Sequence, residues 1–223
     1  MKPLLLGIDG PDGAGKSTIV NGLRDHTESL GLTVDVVHVI KHSKPGALYY
    51  QDYVSGKLDP IREACGMLYS VMDSIHSAIR DAEEAATDVV IFDRTLFSTL
   101  CYQIYVNGYY WFEPVLKQCF SQPDFPVIHT YLLDVDPEVA TQRMKLRGNL
   151  DAIESRGVEY QERINRAYRR AAHEHQHLLG RKIVGGESTM LNVGILTPEQ
   201  VVSCIASMVQ PMLDKQLALI ESL

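Results

Sequence analysis

No apolar run in this sequence is long enough to span a bilayer, which argues against a membrane-embedded chain. Cysteine is scarce: Cys65, Cys101, Cys119 and Cys204 form no Cys-x-x-C pair, so reduced thiols are expected rather than a disulfide framework or a metal centre. Basic charge is not in excess either. Lys and Arg number 21 against 28 Asp and Glu, a formal charge of -7, which argues against a broad nucleic-acid footprint. A small anion is not excluded, because a local nest of N–H groups can override the global sign. No Asn-Lys-x-Asp run offers a guanine site. His173, His175 and His177 then read as a solvated helix end, although His173 and His177 share a helical face. Internal repeats and low-complexity segments are missing too. Lys2 is followed by too short an apolar run for a secretory signal, so a cytoplasmic protein is expected.

What is present is ordinary in bulk and specific in detail. The 223 residues, 45% of them hydrophobic, suit a single domain over residues 1–223. Near the start, Gly10-Pro11-Asp12-Gly13-Ala14-Gly15-Lys16-Ser17-Thr18 fits G-x-x-x-x-G-K-[ST], the phosphate-binding loop. Glycines let successive N–H groups turn inward on a phosphate, and the helix that follows aims its positive end at the same place. Lys16 would reach the β- and γ-phosphates, and the Ser17 hydroxyl is placed to ligate Mg²⁺. The context agrees: an apolar strand over Leu4–Ile8 precedes the loop, and Ile19, Val20 and Leu23 follow at helical spacing.

Downstream, strand-like and helix-like stretches alternate. Strands are expected over 33–40, 88–92, 127–133 and 190–193. Helices are expected over 60–86, 96–106, 111–119, 137–147 and 158–179, with a last one opened by the capping box Thr197-Pro198-Glu199-Gln200. The aromatic run Tyr109–Phe112 reads as core or interface, and Gly185-Gly186 as a surface loop. This alternation implies an α/β fold with a parallel sheet of about five strands and helices on both faces. Ligands in such sheets bind at the carboxyl ends of the strands. The apolar run Val89-Val90-Ile91-Phe92 ends in Asp93-Arg94. A carboxylate there can sit near Mg²⁺ across from the loop, and the arginine can fork onto phosphate oxygens.

Four linked motifs give the chain a resemblance. They are the glycine loop; Phe92-Asp93-Arg94 with Ser98-Thr99 and Tyr102-Gln103; Leu132-Leu133-Asp134-Val135-Asp136-Pro137-Glu138-Val139 with Arg143; and Arg147-Gly148-Asn149-Leu150-Asp151 with Ile153-Glu154. In order and spacing they resemble thymidylate kinase across nearly the whole chain. The resemblance implies a P-loop kinase fold with a mobile lid at about 147–158, and Mg²⁺-dependent transfer of the γ-phosphoryl of ATP to dTMP, commonly by a homodimer. It assigns Gly10, Gly13, Gly15, Lys16, Ser17 and Thr18 to the ATP phosphates and the metal, Asp93 to the metal's surroundings, and Arg143 to the donor nucleotide. It assigns Asp12 to the acceptor's sugar and phosphate and Arg94 to that phosphate. Thr99 and Tyr102 fall to the base and deoxyribose, Tyr69 to stacking on the base, and Pro45-Gly46 to a turn bordering it. A nucleotide monophosphate is already ionised near neutral pH, so such a transfer needs positioning and charge neutralisation, with no added base.

Two positions depart from the family's pattern. The lid reads Leu150-Asp151-Ala152-Ile153-Glu154 where the family often has Leu-Asp-Arg-Ile-Glu, and position 13, where some members carry a basic residue, is Gly. The missing charge is then expected from Arg147 first, Arg156 next, or Arg143. One turn after Tyr69, where the family has an arginine that donates to a thymine carbonyl, stands Asp73. An ionised carboxylate only accepts, so Asp73 facing the base would favour an exocyclic amine or a hydroxyl. The alternatives to dTMP are thus dCMP or a 5-hydroxymethyl pyrimidine monophosphate. Two more readings stay open: a nucleoside kinase with Asp12 as base, and a nucleotide-binding relative without transfer activity.

Overall fold

A computed structural model describes residues 2–120, 122, 124–148, 154–178 and 189–221. Five parallel strands form one sheet: β1 (Leu4–Asp9), β2 (Val34–His38), β3 (Val89–Asp93), β4 (His129–Asp134) and β5 (Thr189–Asn192). Their order across the sheet is β2-β3-β1-β4-β5, with the chain's first strand in the middle. Ile8 pairs with Asp93, and Asp93 pairs in turn with His38, so three strand ends open side by side.

Helices cover both faces, as the near-continuous burial of β1, β3 and β4 requires. Val90 and Phe92 of β3 join a core with α3 (Pro60–Ala85) and α7 (Val158–Leu178). Val89 and Ile91 join the opposite core, with α1 (Lys16–Ser29) and α8 (Pro198–Glu221). Ile8, Leu6 and Phe92 are fully buried, each contributing about 1.5–3 kcal/mol.

Local chemistry sets most helix starts. Asp59 accepts from the N–H groups of Ile61 and Arg62 ahead of α3, with Pro60 in the first turn. Asp136 does the same for α6 (Pro137–Arg147), and such caps contribute about 1 kcal/mol each. At α8 the capping box closes as its spacing foretold. Thr197 N–H donates to Gln200 Oε1 at 2.8 Å, and Gln200 N–H donates to Thr197 Oγ1 at 3.3 Å.

Some elements differ from expectation. Lys44–Val54 is a helix, α2, where the sequence suggested only a Pro-Gly turn. Ser43 caps it by accepting from Gly46 N–H, and Pro45 occupies its first turn, where a missing N–H costs nothing. The expected helix over 96–106 is a short α-helix, α4 (Leu96–Thr99), that runs into a π-helix over Leu100–Val106. The aromatic run divides: Phe112 is buried while Tyr110 and Trp111 stay half exposed, in a 3₁₀ turn before α5 (Glu113–Phe120). All four cysteines are free thiols. Of the lid expected at 147–158, residues 149–153 lie outside the described residues, as do Gly185 and Gly186 and the side chains of His175 and His177.

Candidate functional site

β1 delivers Asp9 to the carboxyl edge of the sheet, and the chain then turns through Gly10–Gly15 into α1. Gly13 has a φ of +79°, and a Cβ there would stand 2.5 Å from the carbonyl oxygen of Ala140 on α6. Gly10 has a φ of +151° and lies equally tight against the backbone of Leu133. The loop is therefore pressed against β4 and α6, and bare backbone is what fits. Lys16 folds across the loop and donates to the carbonyls of Gly10 at 3.0 Å and Pro11 at 2.8 Å. Burial and the charge of Arg94 pull its ammonium below the ordinary lysine value.

β3 delivers Asp93 and Arg94 to the same edge. Ser17 Oγ donates to Asp93 Oδ2 at 3.4 Å, while Asp93 Oδ1 is buried with no hydrogen-bond partner. Arg94 adopts a φ of +76°, a conformation that costs a side-chain-bearing residue about 1–3 kcal/mol. From there its guanidinium donates to Asp12, and also to Ser98 Oγ at 3.2 Å. Tyr102 O–H donates to the other oxygen of Asp12 at 2.9 Å, and Lys16 Nζ lies 3.7 Å from the same carboxylate. Burial alone would raise the Asp12 carboxyl. The charges of Arg94 and Lys16, with the hydrogen bonds from Tyr102 and Arg94, overcome this and hold it at about 2. So weak a base cannot take a proton from a sugar hydroxyl effectively.

These residues face one cavity of about 770 Å³. Gly13, Gly15, Lys16, Ser17 and Thr18 line one end, and Arg143 and Arg147 reach it from α6. Asp12, Arg94, Ser98, Thr99, Tyr102 and Gln103 line the middle. Ile40, Lys41, Tyr50, Tyr53 and Met67 close the far side. Thr99 Oγ1 is buried here without a hydrogen-bond partner, and Gln103 Nε2 donates to Tyr53 O–H at 3.4 Å. The cavity is strongly cationic: Lys16, Lys41, Arg94, Arg143 and Arg147 against Asp12 and Asp93. Among the described residues, no cluster of three or more His, Cys, Asp or Glu could hold a metal by itself.

The sequence expectation at the base end needs correction. Tyr69 is 58% exposed on the outer face of α3 and does not line the cavity. Asp73, one turn on, does not line it either, because Met67, Ser70, Val71 and Ser74 carry the inward face of that helix. Pro45 is exposed on α2, also off the cavity. The aromatic wall comes instead from Tyr50 and Tyr53 of α2, the helix the sequence did not reveal. Arg156 stacks over the Tyr160 ring at 4.9 Å and is not part of the lining, whereas Arg147 is.

Two positions at or behind the cavity escaped the sequence reading. His38, at the end of β2, lines the cavity beside Asp93, and burial pushes its imidazole down to about 4, so it is neutral at ordinary pH. Asp9 is fully buried behind the loop and gathers donors from three segments of the chain. A lone acid between Ile8 and Gly10 carries no motif; only its place at the end of an apolar strand could have flagged it.

Comparison with known proteins agrees with this geometry. The family model described as thymidylate kinase matches residues 8–181. A thymidylate kinase of Bifidobacterium longum is 31% identical over 174 residues, covering 75% of this chain and 83% of the relative. One from an Exiguobacterium species is 28% identical over 167 residues, covering 74% and 78%. One from a Shewanella species is 26% identical over 196 residues, covering 83% and 89%.

Proposed function

The chain belongs to the thymidylate kinase family, and on that premise we propose that it transfers the γ-phosphoryl group of ATP to dTMP, giving dTDP and ADP. One observation carries this reading: a phosphate-binding loop and an arginine–tyrosine pair suited to a nucleoside monophosphate face the same cavity. Gly13, Gly15, Lys16 and Thr18, with Arg143 from α6, hold the donor phosphates. Arg94 grips the acceptor phosphate, Tyr102 abuts the deoxyribose, and Thr99 with Gln103 faces the base. Lys16 and Arg147 neutralise charge on the group in flight.

The acceptor is a monophosphate rather than a nucleoside because the site has cations but no competent base. A phosphate dianion attacks without losing a proton, whereas a 5′-hydroxyl would need one removed, and Asp12 near 2 is unsuited to that. Asp12 instead fixes Arg94 and Tyr102 in place.

Ser17 and Asp93 suit Mg²⁺. Both offer hard oxygen atoms, and the orphaned Asp93 Oδ1 is a buried acceptor awaiting a partner. When bound, the ion would offset the negative charge of the donor phosphates.

The protein acts as a single domain in the cytoplasm; its free thiols, and the lack of any described helix able to cross a membrane, accord with this. It works as a homodimer. The outer face of α3 supports that reading, since Ile61, Cys65 and Tyr69 recur at a four-residue spacing and all are exposed.

ATP consumption with dTMP, dUMP, dCMP and thymidine in parallel tests the proposal. The expected order puts dTMP first and thymidine at background. Turnover of thymidine but not dTMP, or of no acceptor at all, would overturn it.

A further inference from the structure

We infer that Asp9 is a positioning residue for Arg94, setting the acceptor-phosphate grip from behind the cavity. The inference rests on the monophosphate kinase reading above. Asp9 is fully buried at the end of β1 and lines no part of the cavity. Its Oδ1 accepts from Gly10 N–H at 2.8 Å, Tyr168 O–H at 2.7 Å and Ser98 Oγ at 2.8 Å. Its Oδ2 accepts from Thr95 N–H at 2.7 Å, Thr95 Oγ1 at 2.8 Å and Ser98 N–H at 3.1 Å. Six donors more than fill the roughly four lone-pair directions of a carboxylate. The group is saturated and held by neutral donors, which tells against a role as acid, base or metal ligand.

The identity of those donors gives the role. Thr95 follows Arg94 directly and Ser98 lies one turn on, and both present their N–H groups to Asp9 at the start of α4. Arg94 sits at a φ of +76° just ahead of them, a conformation that lasts only where its surroundings over-determine it. On its N-terminal side, Arg94 N–H is bonded to Ile8 O at 2.9 Å, the residue before Asp9. On its C-terminal side Asp9 takes both Thr95 donors. The side chain is set through the same carboxylate: Ser98 Oγ donates to Asp9 and accepts from the Arg94 guanidinium. Tyr168 adds a tie from α7 to this arrangement, touching both Asp9 and Ser98. Backbone and guanidinium of Arg94 thus answer to one buried acid that never meets the substrate.

Asp9→Asn tests this directly, because the amide NH₂ that replaces one oxygen must then face the donors that oxygen accepted from. Tyr168→Phe is the milder variant, removing one donor of six and keeping the ring that packs in the core. The expected result is a rise in KM for dTMP of about tenfold or more in Asp9→Asn and about threefold in Tyr168→Phe. KM for ATP should move less than KM for dTMP in both. On an Arg94→Ala background Asp9→Asn should add little further, since the two would act on one grip. If Asp9→Asn does not fold, Tyr168→Phe decides. The role is overturned if the folded variants lower only the melting temperature, if both substrates weaken equally, or if the Asp9 and Arg94 effects are additive. Wild-type enzyme is assayed alongside. Its failure to turn over dTMP would overturn the kinase reading, whereas normal wild-type turnover with unaltered variants would overturn the positioning role alone.

Discussion

Gly13 of the phosphate-binding loop and Ala140 of α6 approach so closely that a Cβ on the former would lie 2.5 Å from the carbonyl oxygen of the latter. That contact explains why the loop supplies no cation at position 13: the space is filled by backbone, which cannot give way as a flexible side chain could. Gly13→Arg is therefore expected to abolish turnover rather than restore a missing charge, and to destabilise the fold by about 1–3 kcal/mol. Steady-state assays and urea midpoints check both; an active, stable Gly13→Arg enzyme would refute the steric account.

On the proposed function, the charge comes from α6 instead. Arg147 lines the cavity while Arg156 stacks on Tyr160. Arg147→Ala should cut kcat about a hundredfold, and Arg156→Ala should cost less than about threefold. Equal losses would mean that the two arginines share the task.

At the acceptor end, Tyr53→Ala should raise KM for dTMP about tenfold, the scale of one lost base–aromatic contact. Asp73→Asn and Tyr69→Leu should leave it within about twofold, since neither residue lines the cavity. A strong effect of Asp73→Asn on KM would return that residue to the base site.

Asp12 links the site to stability. Its carboxyl is at about 2 in the folded chain against a reference of 3.8. A depressed acid stabilises fully above the higher value and loses that contribution as pH falls through the lower one. The window is thus from about pH 4 down to 2, and the contribution at neutral pH is about 2 kcal/mol. Urea midpoints of wild type and Asp12→Asn should converge across that window, and parallel curves would disprove the linkage.

The α3 face is tested by charge. Ile61→Glu with Tyr69→Glu should turn a dimer into a monomer by sedimentation, at unchanged helix content. A wild-type protein that sediments as a monomer would remove the dimer from the account.

The sheet and the phosphate loop were legible in the sequence because their signals are local: apolar runs of strand length, glycines at fixed spacing, and an acid closing β3. The capping box at Thr197 was legible for the same reason. What escaped depends on three-dimensional phase. On a helix as long as α3, a shift of one residue turns a side chain by about 100°, which is how Tyr69 came to be read as facing the base. Pro45-Gly46 suggested a turn and hid α2, because Pro is as welcome in a helix's first turn as in a bend. The π-helix over Leu100–Val106 has no composition of its own, only a different hydrogen-bond spacing. Asp9 stayed hidden because its meaning lies in who donates to it.

The cationic cavity also has a kinetic consequence. Five basic and two acidic side chains line it, in a molecule whose formal charge is -7. An approaching nucleotide meets a net negative molecule but is drawn toward these five cations, so the field steers it to the mouth at the sheet's carboxyl edge. Salt then acts on two opposing forces at once: it weakens the distant repulsion and the pull of the mouth together. The association rate should accordingly fall with ionic strength far less steeply than for an enzyme whose whole surface is positive.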